Sequence, residues 1–291
     1  MGSGGWIRGG FLAVVAAAGV DAAYAQEKSR YWLFNPTPVA QLREMTTDRP
    51  DTTEVPFTID AGHVQVESSV FAYTRSFRDP AGEITHGREL AYANFRVGLT
   101  NDLELSVVTR PYGMLRTRAA DGSLTSRSSG AGGTDIRFKY NIWGNDTYNG
   151  VGSTAFALLP YVTVPSDRSN GISSDKLEGG LNAFYSIKLS EKFNLGINTG
   201  IGAIRNADAT GYTTEWLFTA SLGQEITEKF GIYYEFISRV GFNDHLGEAL
   251  LAGSGITYRF NKNLQLDAGI NFGLTHAADR FNPWVGFSAR Y

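Results

Sequence analysis

The sequence of 291 residues predicts an all-β protein, a single transmembrane antiparallel β-barrel of about twelve strands with a short helical or irregular N-terminal segment. Three observations predict it: an N-terminal export signal, alternating apolar and polar positions in segments long enough to cross a bilayer, and short connections that alternate with long ones. The expected divisions are 1–25 for a signal peptide, 26–60 for a periplasmic or plug segment, and 61–291 for the barrel.

The first 25 residues have the parts of a cleaved secretory signal. Arg8 is the only charge among the first twenty residues, and the apolar run FLAVVAAAGV follows it. An Ala-Tyr-Ala tripeptide ending at Ala25 matches the small-x-small pattern of a cleavage site, so the mature protein is expected to start at Gln26. The apolar run is too short for a bilayer-spanning helix, and no longer one follows.

Composition excludes several classes of protein. The chain has no Cys, which excludes a disulfide framework and a thiolate metal site. The formal net charge of -3 argues against a nucleic-acid partner, which would require a strongly basic surface. The four histidines are scattered and form no HxxxH or HExxH pair, so neither a bound metal nor a cofactor is expected.

From Gly62 to the C-terminus the sequence is a series of alternating segments separated by turn residues. The segments are about ten to thirteen residues long, the length that a tilted strand needs to cross hydrocarbon. One set of alternate positions is uncharged, as in Val64, Val66, Val70 and Ala72 of the first segment. The other set holds charges and glycines, so the two sets are expected to face lipid and lumen. Near 154–164 both sets are apolar, so the sequence does not show which set faces the lipid and which the lumen.

The connections distinguish a membrane barrel from a soluble sandwich, because both have one apolar face and one polar face. Very short turns such as 100–102 alternate with longer connections such as 76–87, 117–134 and 165–176, although a medium turn near 144–152 replaces one short turn. This asymmetry is typical of barrels with short periplasmic turns and longer outer loops. An even number of strands also returns both ends of the chain to the periplasm.

Aromatic residues lie beside the short turns on the predicted lipid face, as expected at a membrane interface. They are Phe193, Phe230, Phe260 and Tyr291. The chain ends on Tyr291 after alternating apolar residues, which resembles the signal read by the barrel-assembly machinery. The expected location is therefore the outer membrane of a Gram-negative bacterium. The expected partners are its lipid bilayer, the assembly machinery and a small-molecule solute.

The segment 26–60 does not alternate. Thr37 and Pro38 would begin a short helix with Val39, Leu42 and Met45 on one face, and 46–54 is polar and turn-like. Two interpretations stay open: a periplasmic tether, or a plug that enters the lower mouth of the barrel. The predicted plug residues are Arg49, Asp51 and Glu54.

The charged and ring-bearing residues of the inner face are expected to line the lumen. Their signs are mixed, so the lumen should have no strong net field and no sharp ion selectivity. Twelve strands lie between barrels filled by side chains and barrels with an open channel, which predicts a narrow, gated or plugged path. Glu215 and Glu235 are expected to pair with Arg239 or Arg259. The predicted lining residues are Glu104, Arg110, Arg137, Lys139, Glu215, Tyr233, Glu235, Arg239, Arg259 and Asp267.

Four short runs near the N-terminus together resemble the opening signature of a known family. They are NPTP at 35–38, LREM at 42–45, TDRPDTTEVPFT at 47–58 and GHVQVE at 62–67. That family comprises outer-membrane transporters associated with the meta pathway of phenol degradation. The rest of the chain agrees with it in strand pattern and in the terminal aromatic residue. The resemblance implies transport of hydrophobic or aromatic compounds and supplies no catalytic residues.

Three classes of function remain: a passive transporter, a lipid-active enzyme, and a structural barrel without transport. An outer-membrane phospholipase also has twelve strands, but it would need a Ser two residues after a His on the lipid side. Those positions hold Gln65, Arg88, Gly247 and Ala278, so no catalytic residue is expected. Passive passage of small hydrophobic or aromatic solutes is the function that the sequence favours.

Overall fold

The protein is described here from a computed structural model, over residues 28–166, 170–206, 210–242 and 247–291. The predicted signal peptide lies outside the described residues. A 3-10 helix spans Val39–Gln41. The strands are β1 Val64–Ser76, β2 Ile84–Gly98, β3 Leu103–Thr109, β4 Tyr112–Arg118, β5 Leu124–Gly130, β6 Thr134–Trp143, β7 Thr154–Val164, β8 Glu178–Lys188, β9 Phe193–Arg205, β10 Tyr212–Glu225, β11 Phe230–Gly241, β12 Ala249–Asn261, β13 Leu264–Gly273 and β14 Asp279–Arg290.

These strands form one closed antiparallel barrel. Outside β2–β6, neighbours in sequence pair with each other, and β1 pairs with both β2 and β14, which closes the wall. The wall has twelve strands because two of them are interrupted. β3 and β4 both pair with β2, separated by Arg110 and Pro111, and β5 and β6 are likewise separated at 131–133. The predicted strand number and fold class are confirmed.

The β4–β5 hairpin replaces most of the long loop that the sequence predicts at 117–134. Its two strands pair along their length, and only 119–123 form the turn. The backbone N–H of Gly132 donates to the carbonyl of Arg110 at 2.8 Å, which joins the two interruptions. The hairpin therefore continues the wall along the upper half of β2, where Ile84 pairs with Arg118.

A bulge in β1 changes the facing of its upper half. Val70 has no partner in β14, because its two neighbours pair with consecutive residues. β2 leaves Ala91, whose φ is 56°, unpaired at the same level. An extra residue shifts the period of two by one position. Ala72 therefore pairs with Trp284 and faces the lumen, and its predicted outward position is wrong.

The barrel has the inside-out distribution of a membrane protein. Large apolar side chains such as Phe138, Ile201 and Phe272 are exposed on the outer wall, whereas Arg96 and Glu104 are completely buried in the lumen. Apolar side chains out and polar side chains in are what a barrel wall in lipid requires. Among the described residues, no helix is long and apolar enough to cross a membrane.

Strand β7, whose facing the sequence left open, turns its small residues and one leucine inward. Ala155, Ala157 and Leu159 are buried, and Leu159 packs against Phe184 of β8. This is an apolar cluster on one side of an otherwise polar lumen. Because both faces of the strand are apolar, only the pairing with β6 and β8 fixes its phase.

The helical part of the N-terminal segment is shorter than predicted. It is a single 3-10 turn after Pro38, no side chain caps it, and Leu42 already has extended backbone angles. Val39, Leu42 and Met45 therefore share no helical face. The backbone beyond this turn bonds to side chains of the barrel, and these bonds replace the hydrogen bonds of a longer helix.

Candidate functional site: the lumen and the segment that crosses it

The chain from Arg43 to Asp60 runs through the lumen. Near its two ends, Arg43 and Asp60 form an ion pair at 3.0 Å between Nε and Oδ1. Arg290, at the end of β14, donates to the carbonyl of Arg43 at 2.7 Å. Between these ends the segment contacts β1, β2, β3, β6, β10, β11 and β13. We call 43–60 the lumen segment.

The first contact cluster surrounds Asp48. Its carboxylate lies 2.6 Å from Lys139 Nζ and 3.3 Å from Arg96 Nη1. Arg96 also pairs with Glu67 and Glu104, both at 2.7 Å. Burial alone would raise the pKa of Asp48, but the charges of Arg96 and Lys139 outweigh burial and hold this pKa below its usual value. These five groups form a network of three acids and two bases.

Arg49 makes the second contact, on β13. Its guanidinium binds Asp267 through two nitrogens, with Nη2–Oδ1 at 2.6 Å and Nε–Oδ2 at 3.3 Å. The backbone N–H groups of Asp48 and Arg49 both donate to Glu67 of β1, at 3.2 and 3.0 Å. A two-point guanidinium–carboxylate pair fixes orientation as well as charge.

The third contact lies across the barrel on β10 and β11. The backbone N–H and the hydroxyl of Thr53 both donate to Glu235 Oε1 at 2.7 Å, and the hydroxyls of Thr53 and Thr219 are 2.8 Å apart. Asp51 lies near the same carboxylate. Burial, with Glu235 as the second cause, raises the pKa of Asp51 well above its usual value.

The fourth contact is with β6. Glu54 pairs with Arg137. Lys139 donates to the carbonyl of Val55 at 2.9 Å and Asn141 donates to that of Pro56 at 2.9 Å. The carbonyl groups of the extended segment are therefore satisfied by side chains of the wall, as buried backbone requires.

Cavities lie on both sides of the lumen segment. A cavity of about 930 Å³ opens at the end of the barrel with the short turns, which we call the lower end. Two cavities of about 550 Å³ each lie toward the other, upper end. All three border Arg49 and Pro50, so this turn stands between the lower and upper cavities.

Each of the predicted lining residues has its side chain in the lumen. Glu104, Arg137, Lys139, Tyr233, Glu235 and Asp267 are buried, and all but Tyr233 contact the lumen segment. The others border a cavity: Arg110, Glu215 and Arg239 an upper one, and Arg259 the lower one.

The ion pairs differ in part from those expected. Glu215 pairs with Arg239 at 3.4 Å, as expected. Glu235 instead binds Thr53, and Arg259 lies 4.0 Å from Glu44.

Sequence reasoning missed one cation and one acid of the site, Arg96 and Glu67, both completely buried. The signal was present: Arg96 lies between Phe95 and Val97, and Glu67 follows Val66, so alternation alone places both on the inner face. Within the described part of the chain, no group of three or more potential ligands is arranged to hold a metal ion.

A closed antiparallel barrel with an apolar wall and a polar, ion-paired interior defines the class of outer-membrane β-barrels. Within that class, the chain belongs to the family described as the MetA-pathway of phenol degradation, whose sequence profile matches residues 47–291. The match contains the whole run at 47–58 and confirms the resemblance seen there.

Solved structures with this fold include an outer membrane channel from Pseudomonas putida F1, with a TM-score of 0.57 and 13% identity over 84% of this chain and 100% of that chain. The KdgM porin in complex with disordered oligogalacturonate has a TM-score of 0.47 and 11% identity over 78% of this chain and 98% of that one. The CymD monoaromatic hydrocarbon channel has a TM-score of 0.40 and 9% identity over 79% and 88%. A comparison with curated protein sequences finds no match.

Proposed function

We propose that the protein is a channel of the outer membrane that passes small, mostly apolar or aromatic solutes without an energy source. The observation that carries the proposal is the division of the lumen into a lower cavity and two upper cavities by the lumen segment. The closed wall exposes no unpaired backbone to lipid, so passage runs through this interior. Membership of the phenol-degradation family supports an aromatic solute.

The chemistry of the cavities fits solutes with both a ring and a polar group. Tyr92 and Trp284 border an upper cavity together with Arg110, and Phe57 and Tyr148 border the lower one together with Arg259. Rings of this kind give a weak surface for aromatic solutes, and the adjacent cations attract a phenolate or carboxylate.

The lumen segment acts as the plug of this channel in the proposal. Arg49, Asp51 and Glu54 are its central residues, because Arg49 and Glu54 are held by Asp267 and Arg137, and Asp51 is close to Glu235. Passage requires the turn at Arg49 and Pro50 to move, since it borders every one of the three cavities. Because ion pairs hold this turn to the wall, it can move away from the wall without exposing apolar surface.

Export and insertion complete the proposal. Cleavage after Ala25 would release a mature chain, and the barrel-assembly machinery would recognise the C-terminal strand that ends beside Tyr291. β14 is the strand that closes the wall against β1, which is consistent with such a role. Intact mass of the protein from outer-membrane fractions tests the processing, and a retained Met1 would contradict it.

A structural barrel without transport is the second candidate, favoured by the dense ion pairing around Asp48. Deletion of 31–54 distinguishes the two. If the protein is a plugged channel, the deletion should increase single-channel conductance in planar bilayers. Cells that carry the gene should also take up a labelled phenol or aromatic acid faster than cells without it. Equal uptake of aromatic, fatty and sugar solutes, with no conductance in either form, would leave the structural barrel.

A further inference from the structure

The outer wall carries a dense group of positive charges at one place. Five arginines occupy outward positions near the upper ends of β1, β2, β4 and β5: Arg75, Arg88, Arg116, Arg118 and Arg127. We call them the arginine patch. Elsewhere most outward positions hold apolar and ring side chains, as at Phe95, Tyr140, Trp216 and Leu266. Arg205 of β9 also points outward, but it pairs with Asp175 at 2.7 Å.

The strand register fixes this facing. Ala72 pairs with Trp284 and with Glu89, and all three border an upper cavity of the lumen. Because successive residues alternate, Arg88 points away from the lumen. Its partner on β4 is Met114, two residues before Arg116.

The hairpin continues the same face. His86 of β2 pairs with Arg116, and Arg116 pairs in turn with Arg127 of β5. Arg118 follows two residues after Arg116 on β4 and therefore lies on the same side. The patch thus spans four neighbouring strands.

The patch surrounds a hollow of about 310 Å³ on the outside of the barrel. Its walls are the side chains of Tyr73, His86, Arg88, Met114, Arg116 and Arg118. Tyr73 Oη and His86 Nδ1 are 2.6 Å apart, which fixes one wall. The guanidinium of Arg75 lies 6.0 Å from the centre of the Phe281 ring. Rings beside cations are typical of the depth at which headgroups begin.

The charges of the patch are not balanced by any carboxylate of the described residues. Within the part of the chain that the structure describes, the ion-paired carboxylates pair with other cations, and none lies within salt-bridge distance of the patch. Arg116 and Arg127 are direct cross-strand partners, an arrangement of like charges that destabilises a sheet by itself. The arrangement therefore favours an external anion with several charges.

We propose that the arginine patch binds the phosphate groups of lipopolysaccharide in the outer leaflet, with the phosphorylated sugar headgroup seated in the hollow. Guanidinium groups bind phosphate oxygens through two points, which suits a cluster of arginines better than diffuse attraction. The short turns place the lower end in the periplasm, so the patch lies at the level of the outer-leaflet headgroups. Charge on the lipid face costs little at that depth. The inference depends on this orientation and not on the transport of a solute.

The test compares the variant R88E/R116E/R118E with a control that makes the same change of charge at the other end of the barrel. Lys192, Lys229 and Lys262 are exposed in the short turns, so K192E/K229E/K262E is that control. Purified proteins are titrated with bis-phosphorylated lipid A in detergent, and bound lipid is counted by native mass spectrometry. We expect binding on the order of 100-fold weaker for the arginine variant and unchanged for the lysine control.

Three further arms identify the ligand. Dephosphorylated lipid A should bind the unaltered protein as weakly as lipid A binds the arginine variant. Inorganic phosphate alone should compete only weakly, because it lacks the sugar and acyl chains. The neutral variant R88Q/R116Q/R118Q replaces the charge-reversed one if heat-shifted gel mobility shows that the latter does not fold. Equal lipid A binding by the patch variant and the lysine control overturns the proposal, as does equal binding of the dephosphorylated lipid. Tight binding of inorganic phosphate alone also overturns it.

Discussion

Arg49 and Asp267 join the lumen segment to the barrel wall through two hydrogen bonds, at 2.6 and 3.3 Å, although 218 positions separate them in sequence. Asp267 is completely shielded from solvent and Arg49 is 9% exposed. Removal of one partner from a buried pair leaves an unpaired charge, which costs about 3–5 kcal/mol. The pair therefore stabilises the segment in the position that divides the lumen.

Replacement of Asp267 with Asn should loosen the turn at Arg49 and raise the open probability and mean conductance of single channels. The double variant R49D/D267R should recover part of the closed state, because it restores opposite charges at the same two positions. Planar bilayer recordings of the unaltered protein, R49D, D267R and the double variant measure the coupling. If the double variant conducts as freely as either single variant, the two residues do not act as a pair.

The outer wall predicts opposite results at two adjacent positions of β12. Ile256 is 46% exposed on the outer face, and Thr257 borders the lower cavity. Ile256→Arg should destabilise the folded barrel by about 2–4 kcal/mol if the residue is near the midplane. Thr257→Arg should be tolerated, because its charge enters the lumen. Folding into liposomes, followed by heat-shifted gel mobility, compares the two, and equal stability would show that the register is wrong.

The position of Asp51 predicts a dependence on pH. Its pKa is raised above the ordinary 3.8, because the carboxyl is buried and Glu235 is close. Because the pKa is raised when the lumen segment occupies the lumen, protonated Asp51 stabilises the segment in that position at low pH. This stabilisation is lost as pH rises through the raised pKa. Conductance should therefore increase from acidic toward basic pH.

The variant D51N should remove most of this pH dependence, because an amide does not ionise. Conservative replacement of an exposed acid in a short turn, Glu228→Gln, is the matched control and should leave the pH profile unchanged. A profile that is identical in all three proteins would assign the pH response to another group.

The apolar cluster on β7 and β8 predicts a stability effect separate from the plug. Phe184 is 1% exposed, packs against Leu159 and lies 5.3 Å from Lys139 Nζ. Phe184→Ala should cost about 3–5 kcal/mol, whereas Tyr185→Ala removes a ring at the adjacent outward position, outside this cluster. Urea unfolding in liposomes measures both. Equal losses would indicate that the cluster contributes no packing beyond lipid contact.

The strands and the polar interior could be predicted from the sequence because a period of two is a local property. Glu104, Lys139 and Asp267 follow directly from it. The bulge at Val70 and Ala91 could not be predicted, because it depends on pairing with neighbouring strands and leaves no composition signal. The same is true of β7, where both faces are apolar and only its partners select the inner one.

The sequence predicts a loop rather than a hairpin at 117–134, because most residues there are polar or small. Those residue types discourage a strand within the hydrocarbon but not a hairpin at the level of the headgroups. The N-terminal helix is shorter than the sequence predicts, because its hydrogen bonds also depend on distant parts of the chain. Val39, Leu42 and Met45 have the spacing of a helical face. In the structure, the backbone of Arg43 instead bonds to the side chains of Asp60 and Arg290.

An engineered disulfide between the lumen segment and the wall tests directly whether the segment must move for a solute to pass. The chain has no Cys, and Thr53 and Thr219 have hydroxyls 2.8 Å apart, so T53C/T219C introduces the only thiols at a bridging distance. Oxidation should lock the segment and abolish uptake of a labelled phenol, and a reductant should restore uptake, with T53C alone unaffected. A cross-linked protein that passes the phenol as fast as its reduced form would contradict the account.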